Sequence, residues 1–155
     1  MTPAGIASTL GLALVSGVFV DARAAPAQSL LSFEQQGDAV PAALGGLDGD
    51  AISGKAIILD RRRGNCLICH VFPIEDEPFQ GEIGPELVGV ADRLDEGQIR
   101  LRLIDQSRLN PETVMPPYYR VDGLTDVVPE YRGEPALEAQ EIEDVIAYLM
   151  TLRSD

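Results

Sequence analysis

Cys66-Leu67-Ile68-Cys69-His70 is a C-x-x-C-H pentad, in a chain whose 155 residues include only these two cysteines and this one histidine. The spacing is that of covalent c-type haem attachment. Two thiols three positions apart can each add to one of the two porphyrin vinyl groups. The turn between them then aims the next side chain, an imidazole, at the iron. Cys66 and Cys69 are therefore read as the thioether anchors of one haem c, and His70 as an axial iron ligand.

Three other chemistries use the same residue types. A structural zinc site needs four ligands, and carboxylates would have to complete it because no further Cys or His exists. A thioredoxin-like dithiol calls for a βαβ setting, which the pattern around the pentad does not offer. A plain disulfide is compatible with an oxidising compartment but leaves His70 without a role. Haem accounts for all three residues.

The second axial position can be narrowed by elimination. A bis-histidine iron is impossible within this chain. Outside the N-terminal segment the thioethers are Met115 and Met150. Met115 stands in Val114-Met115-Pro116-Pro117-Tyr118-Tyr119, where prolines deny the backbone a helix and stiffen a loop able to hold a side chain against the distal face. Met150 lies beside the apolar stripe of a helix, where packing is its simpler role. Lys55 could ligate only after losing its proton. Met115 is the favoured ligand, with Met150 the alternative; a thioether favours Fe(II) and raises the potential relative to a second imidazole. On the proximal side, Gly84-Pro85 offers a carbonyl to accept the His70 ring N–H and orient the imidazole.

The rest of the chain reads as short helices joined by long loops. Asp50 caps a first helix expected over 51–63, with Gly64 as its stop and Arg61, Arg62 and Arg63 placed to suit the negative end of its dipole. Gly54 within it permits close approach of another helix. Asp95 with Gln98 forms a capping-box signature for a second helix ending near Asn110-Pro111. A last helix over 138–152 carries Ile142, Val145, Ile146 and Leu149 at i, i+3, i+4, i+7, with Asp and Glu opposite. Stretches 72–89 and 114–135, rich in proline and glycine, read as loop. No run alternates with period two, so the expected fold is all-α, with the haem organising loops that could not pack alone.

Residues 1–24 read as a signal peptide. Leu10 to Val20 is an apolar run too short to span a bilayer well, and cleavage sites follow near Ala24 or Ala27. Residues 25–50 read as an N-terminal extension over the domain or over a partner, and 51–155 as the cytochrome domain. Export to the periplasm is expected. The net charge of −13 makes nucleic acid and anionic membrane surfaces poor partners.

Gly64-Asn65-Cys66-Leu67-Ile68-Cys69-His70, Gly84-Pro85-Glu86-Leu87-Val88-Gly89-Val90, Asn110-Pro111-Glu112-Thr113-Val114-Met115-Pro116-Pro117-Tyr118-Tyr119 and Glu143-Asp144-Val145-Ile146-Ala147-Tyr148-Leu149 together resemble the SoxX cytochromes of the sulfur-oxidising (Sox) system. The resemblance covers roughly residues 52 to 153, and the block around Met115 is its specific part. It implies a class I cytochrome c fold and a heterodimer with a SoxA cytochrome. In that complex thiosulfate is oxidatively joined to a cysteine of the SoxY/SoxZ carrier, and SoxX passes electrons to a small acceptor cytochrome c. It also implies that Cys66 and Cys69 hold the haem while His70 and Met115 ligate it. Independently, both thiols are consumed by thioethers, leaving none to act as a nucleophile. This chain is expected to be a non-catalytic electron-transfer subunit. A free-standing periplasmic shuttle cytochrome is the alternative. Haem peroxidase activity is a third reading, requiring a weak or absent sixth ligand.

Overall fold

The computed structural model describes Met1 and residues 30–154. The signal-peptide segment and its cleavage sites lie outside the described residues. Among the described residues four α-helices follow one another: α1 (Ala51–Leu59), α2 (Val90–Arg93), α3 (Glu96–Asp105) and α4 (Ala139–Leu149). No strand forms among the described residues; an isolated bridge joins Gln36 and Ala39. The expected all-α class is what the chain adopts.

The frame is α4 crossed by α1 and flanked by α3. Gly54 is what brings the first pair so close. A Cβ built there would lie 1.9 Å from the Asp144 carbonyl oxygen, and one at Gly49 2.1 Å from that of Glu143. Only residues without a side chain let this stretch lie on the backbone of α4. Asp50 caps α1, its carboxylate accepting from Ser53 N at 2.7 Å. Burial on α4 does the rest, with Ile142, Val145, Ile146 and Leu149 all inside.

Three expectations need correction. α1 stops at Leu59, not Arg63, because the chain closes a turn in which Asn65 N and Gly64 N donate to Asp60 O and Ile57 O. The arginine triplet therefore lies beyond the helix, and Arg63 pairs with Glu141 on α4 instead of serving the dipole of α1. The segment 72–89 is loop as expected, but α2 follows it as one short turn of helix. The acids of α4 are not all solvated: Glu143 and Asp144 are buried. Glu143 forms a two-pronged pair with Arg100 of α3, at 2.8 Å from Nε and 2.7 Å from Nη2, and also accepts from Leu44 N at 2.9 Å. Asp144 accepts from Asp50 N at 2.8 Å.

Those buried acids also explain where residues 30–50 go. Val40 and Leu44 are core residues. Val40 N donates to Gly97 O at 2.9 Å, while Arg100 Nη1 donates to Val40 O at 2.8 Å. Leu31 N reaches the Tyr119 hydroxyl at 2.9 Å, and Arg108 stacks over Phe33. This stretch is stitched onto α3 and α4. It packs as part of the domain. Among the described residues no helix is long and apolar enough to cross a membrane.

Candidate haem site

The polypeptide surrounds a cavity of about 840 Å³ walled mainly by apolar side chains. Such a volume lies toward the upper end of small-molecule and cofactor sites, about 300–1,000 Å³. Cys66, Cys69, His70 and Met115 all line it. Met150 does not, and Lys55 faces a separate shallow depression with Ile52 and Tyr148. Of the three candidates for the second axial position, only Met115 reaches the cavity wall.

The proximal side is set by backbone turns. Asn65 takes the left-handed conformation, φ +49°, that Asn tolerates better than most residues. Cys66 to Ile68 then form one tight helical turn, with His70 N donating to Cys66 O at 3.0 Å. The His70 ring Nδ1 lies 2.7 Å from Pro85 O, the expected proximal contact. With the proton on Nδ1, Nε2 is left with its lone pair for a metal. Gly84 fits flat behind the ring: a Cβ there would come within 2.3 Å of His70 Cε1. Gly84 N donates to Cys69 O at 2.7 Å and Leu87 N to Val71 O at 2.9 Å, so the Gly84-Pro85 loop is fixed to the pentad.

On the distal side, Met115 N donates to Thr113 Oγ1 at 3.1 Å. Tyr118 N and Tyr119 N donate to Leu103 O and Ile104 O at the end of α3. The Tyr118 hydroxyl, buried against the cavity, donates to Gly64 O at 2.9 Å and thereby ties the Met115 loop to the turn that leads into the pentad. Burial is the main reason the Tyr118 hydroxyl holds its proton far above the ordinary tyrosine range.

Burial likewise pushes the Cys66 thiol up to about 11, against the opposing influence of the neighbouring Tyr118 hydroxyl. Cys66 and Cys69 are not joined to each other. Among the described residues no group of three or more His, Cys, Asp and Glu is arranged to hold a bare metal ion. An imidazole, a thioether, two unbridged thiols and an apolar cavity are the donor set that suits a covalently attached haem.

Sequence reasoning missed the residue that fixes the loop after the pentad. Gln80 accepts from Phe72 N at 2.6 Å and donates to Glu77 O at 2.9 Å, closing residues 72–80 on themselves. A lone glutamine in a proline-rich loop carries no sequence signal for this role. Cavity-lining Arg102 and Gln106 on α3 and its continuation were also passed over. Their i, i+4 spacing with the apolar pair Ile99 and Leu103 was the available clue.

No family model matches the chain, and neither does any curated protein. Among solved structures, the crystal structure of SoxXA from P. pantotrophus matches at 35% identity, covering 79% of this chain and 95% of that chain, with a TM-score of 0.72. The chain belongs to the SoxXA family. Its short helices and long loops are the class I cytochrome c-like arrangement of that SoxXA neighbour. In this SoxXA-family chain, the cavity and its donor set occupy the middle of that fold.

Proposed function

We propose that the chain is a monohaem c-type cytochrome, the SoxX-like electron-transfer subunit of a SoxAX complex. The carrying observation is the convergence of Cys66, Cys69, His70 and Met115 on one apolar cavity. Kinship with SoxXA supports the assignment to that complex. Bound haem supplies a one-electron Fe(III)/Fe(II) couple. The chain's own residues do the rest. Cys66 and Cys69 would tether the cofactor, and His70 and Met115 would supply the nitrogen and sulfur ligands of its iron. Pro85 O keeps the imidazole oriented, and Phe72, Leu103, Val145 and Leu149 exclude water. With His70 and Met115 so engaged and both cysteines in thioether bonds, no thiol of this chain would be left for sulfur chemistry. The role is outer-sphere electron transfer.

In this reading a SoxA-like cytochrome carries the conjugation of thiosulfate to the SoxY/SoxZ carrier cysteine, and electrons leave through an acceptor cytochrome c. Ile68, Ile83 and Val114, 58%, 68% and 77% exposed, form an apolar rim at the cavity that suits docking of a partner. Export to the periplasm, with cleavage near Ala24 or Ala27, belongs to the same reading.

The test compares spectra of the purified holoprotein and its Met115→Ala variant. The long-wavelength sulfur-to-iron band should be present in the parent and absent from the variant. Its survival in the variant would move the ligand to Met150. Size exclusion of the native-host protein addresses the assembly: co-elution with a second cytochrome is expected, and a lone monomer would favour a free shuttle.

A further inference from the structure

Two arginines of the triplet, displaced from the dipole of α1, are left without a partner. Among the described residues the ion pairs use Arg63, Arg100, Arg108, Arg120 and Arg153. Lys55, Arg61 and Arg62 are exposed and enter none of them. These cations border the outer side of α1, and that side is apolar. Of the nine residues of α1 only Ser53 and Lys55 are polar. A helix apolar all round is normally enclosed on every side. Here Gly54 lies on the backbone of α4 and Ile58 is buried, whereas Ile52 is 83% exposed. Ile52, Ala56 and Leu59 share one face, at i, i+4, i+7. With Lys55 and Tyr148 of α4 they wall a shallow depression, and none of them lines the haem cavity.

The order of residues along this face is self-complementary. We propose that it docks a second copy of this chain, the two α1 helices lying antiparallel about a twofold axis. A copy centred between Lys55 and Ala56 sets Ile52 against the other copy's Leu59, and Asp50 against the other copy's Arg61, at both ends. Asp48 and Arg62, both exposed, stand just beyond. The small Ala56 near the axis lets the helices come within about 8–10 Å, the usual packing distance. Charge sets the direction. Antiparallel pairing brings each acidic N-terminal end against a basic C-terminal end, which also suits the helix dipoles. An acidic surface of another protein would meet the three cations but would set like charges against Asp48 and Asp50. The contact is isologous and closes at two copies. A single helix face offers less than the roughly 800 Å² per partner of a standard stable complex, and two chains of net charge −13 repel. Pairing is therefore weak and concentration-dependent, with a Kd on the order of 0.1 mM. It leaves the rim of Ile68, Ile83 and Val114 to a different partner, and it does not rest on the haem reading.

Sedimentation equilibrium tests the pairing on the protein as its host makes it, together with any subunit that co-purifies. Runs from about 10 µM to about 1 mM, at one ionic strength, count the copies of this chain per particle. A reversible rise from one copy to two is expected. Ile52→Glu puts an unpaired carboxylate into the contact, and a substitution in an isologous contact acts twice. Association should weaken about 100-fold or more. Arg61→Glu exchanges two exposed ion pairs for like-charge contacts and should weaken it about tenfold. Val128→Glu places a charge on an exposed apolar residue outside α1 and should change nothing. A single copy per particle at about 1 mM, whether alone or with a different protein seated on α1, would overturn the proposal. So would a dimer that survives both Ile52→Glu and Arg61→Glu, or one that Val128→Glu weakens as much. If Ile52→Glu does not accumulate, Arg61→Glu set against Val128→Glu still decides. Loss of haem or of a second cytochrome from the parent bears on the proposed function alone, because the copy number is read independently of both.

Discussion

Replacing Glu143 by Gln tests the polar seam that joins residues 40–44, α3 and α4. Glu143 and Arg100 are 4% and 2% exposed. The three groups that meet the carboxylate, Arg100 Nε–H, Arg100 Nη2–H and Leu44 N–H, are all donors, at 2.8, 2.7 and 2.9 Å. A glutamine must turn its own NH₂ against one of them. It also leaves the Arg100 charge without a counter-ion. Breaking one side of a buried pair costs about 3–5 kcal/mol, a large share of the roughly 5–15 kcal/mol by which a domain is stable. At about 4 °C per kcal/mol for a domain of this size, Tm should fall by roughly 12–20 °C. Thermal and urea unfolding followed by far-ultraviolet circular dichroism reads this directly. Removing both charges with Arg100→Met and Glu143→Leu should recover most of the loss, because an apolar replacement leaves nothing unpaired. A Glu143→Gln protein within about 1 kcal/mol of the parent would refute the claim that this pair organises the core.

Gly84→Ala places a methyl group 2.3 Å from the His70 ring, so the imidazole must tilt away from Pro85 O. The haem spectrum and midpoint potential should change, and retention of both would show that the loop yields instead. Gly54→Ala drives a Cβ to within 1.9 Å of the Asp144 carbonyl oxygen and should destabilise the α1–α4 crossing by about 1–3 kcal/mol or more in urea unfolding. The Asp50 carboxyl is held below its ordinary 3.8 chiefly by the Ser53 N–H, and Asp92 below the same value chiefly by the Ser154 N–H. Each depressed carboxylate contributes stability present above about pH 4 and lost as pH falls through its folded pKa. An acid titration of unfolding should show that limb, and Asp50→Asn, which still caps α1 but does not ionise, should flatten it.

The proposed haem-binding residues could be picked out because covalent attachment imposes a fixed local spacing, and because a chain with one histidine leaves no choice of imidazole. Met115 was legible through the prolines that follow it, and Pro85 through its glycine partner. The Asp95–Gln98 capping box forms as read, since it is a contact across one turn. What local pattern could not supply was pairing across the chain. Glu143 and Asp144 look like a solvated acidic face until Arg100 and the backbone of residues 44 and 50 are brought to them from more than forty positions away. The stretch before α1 has no periodicity, because its two core residues, Val40 and Leu44, are placed by hydrogen bonds to Gly97 and Glu143 and not by a helix of their own. The end of α1 was misjudged for a similar reason: helix propensity runs through Arg63, but the turn back into the pentad wins.

The bond from Tyr118 N to Leu103 O gives Met115 a leash three residues long. At no more than about 3.3–3.6 Å per residue, that leash reaches only about 10 Å from its anchor. The sulfur can swing within the mouth of the cavity but cannot leave it while α3 keeps hold of Tyr118. If Met115 ligates the iron as proposed, that tether would keep its sulfur close enough to return whenever a rival donor left. The length of a short stretch of backbone, as much as the strength of any bond to a metal, would then limit how far the proposed centre could rearrange on reduction.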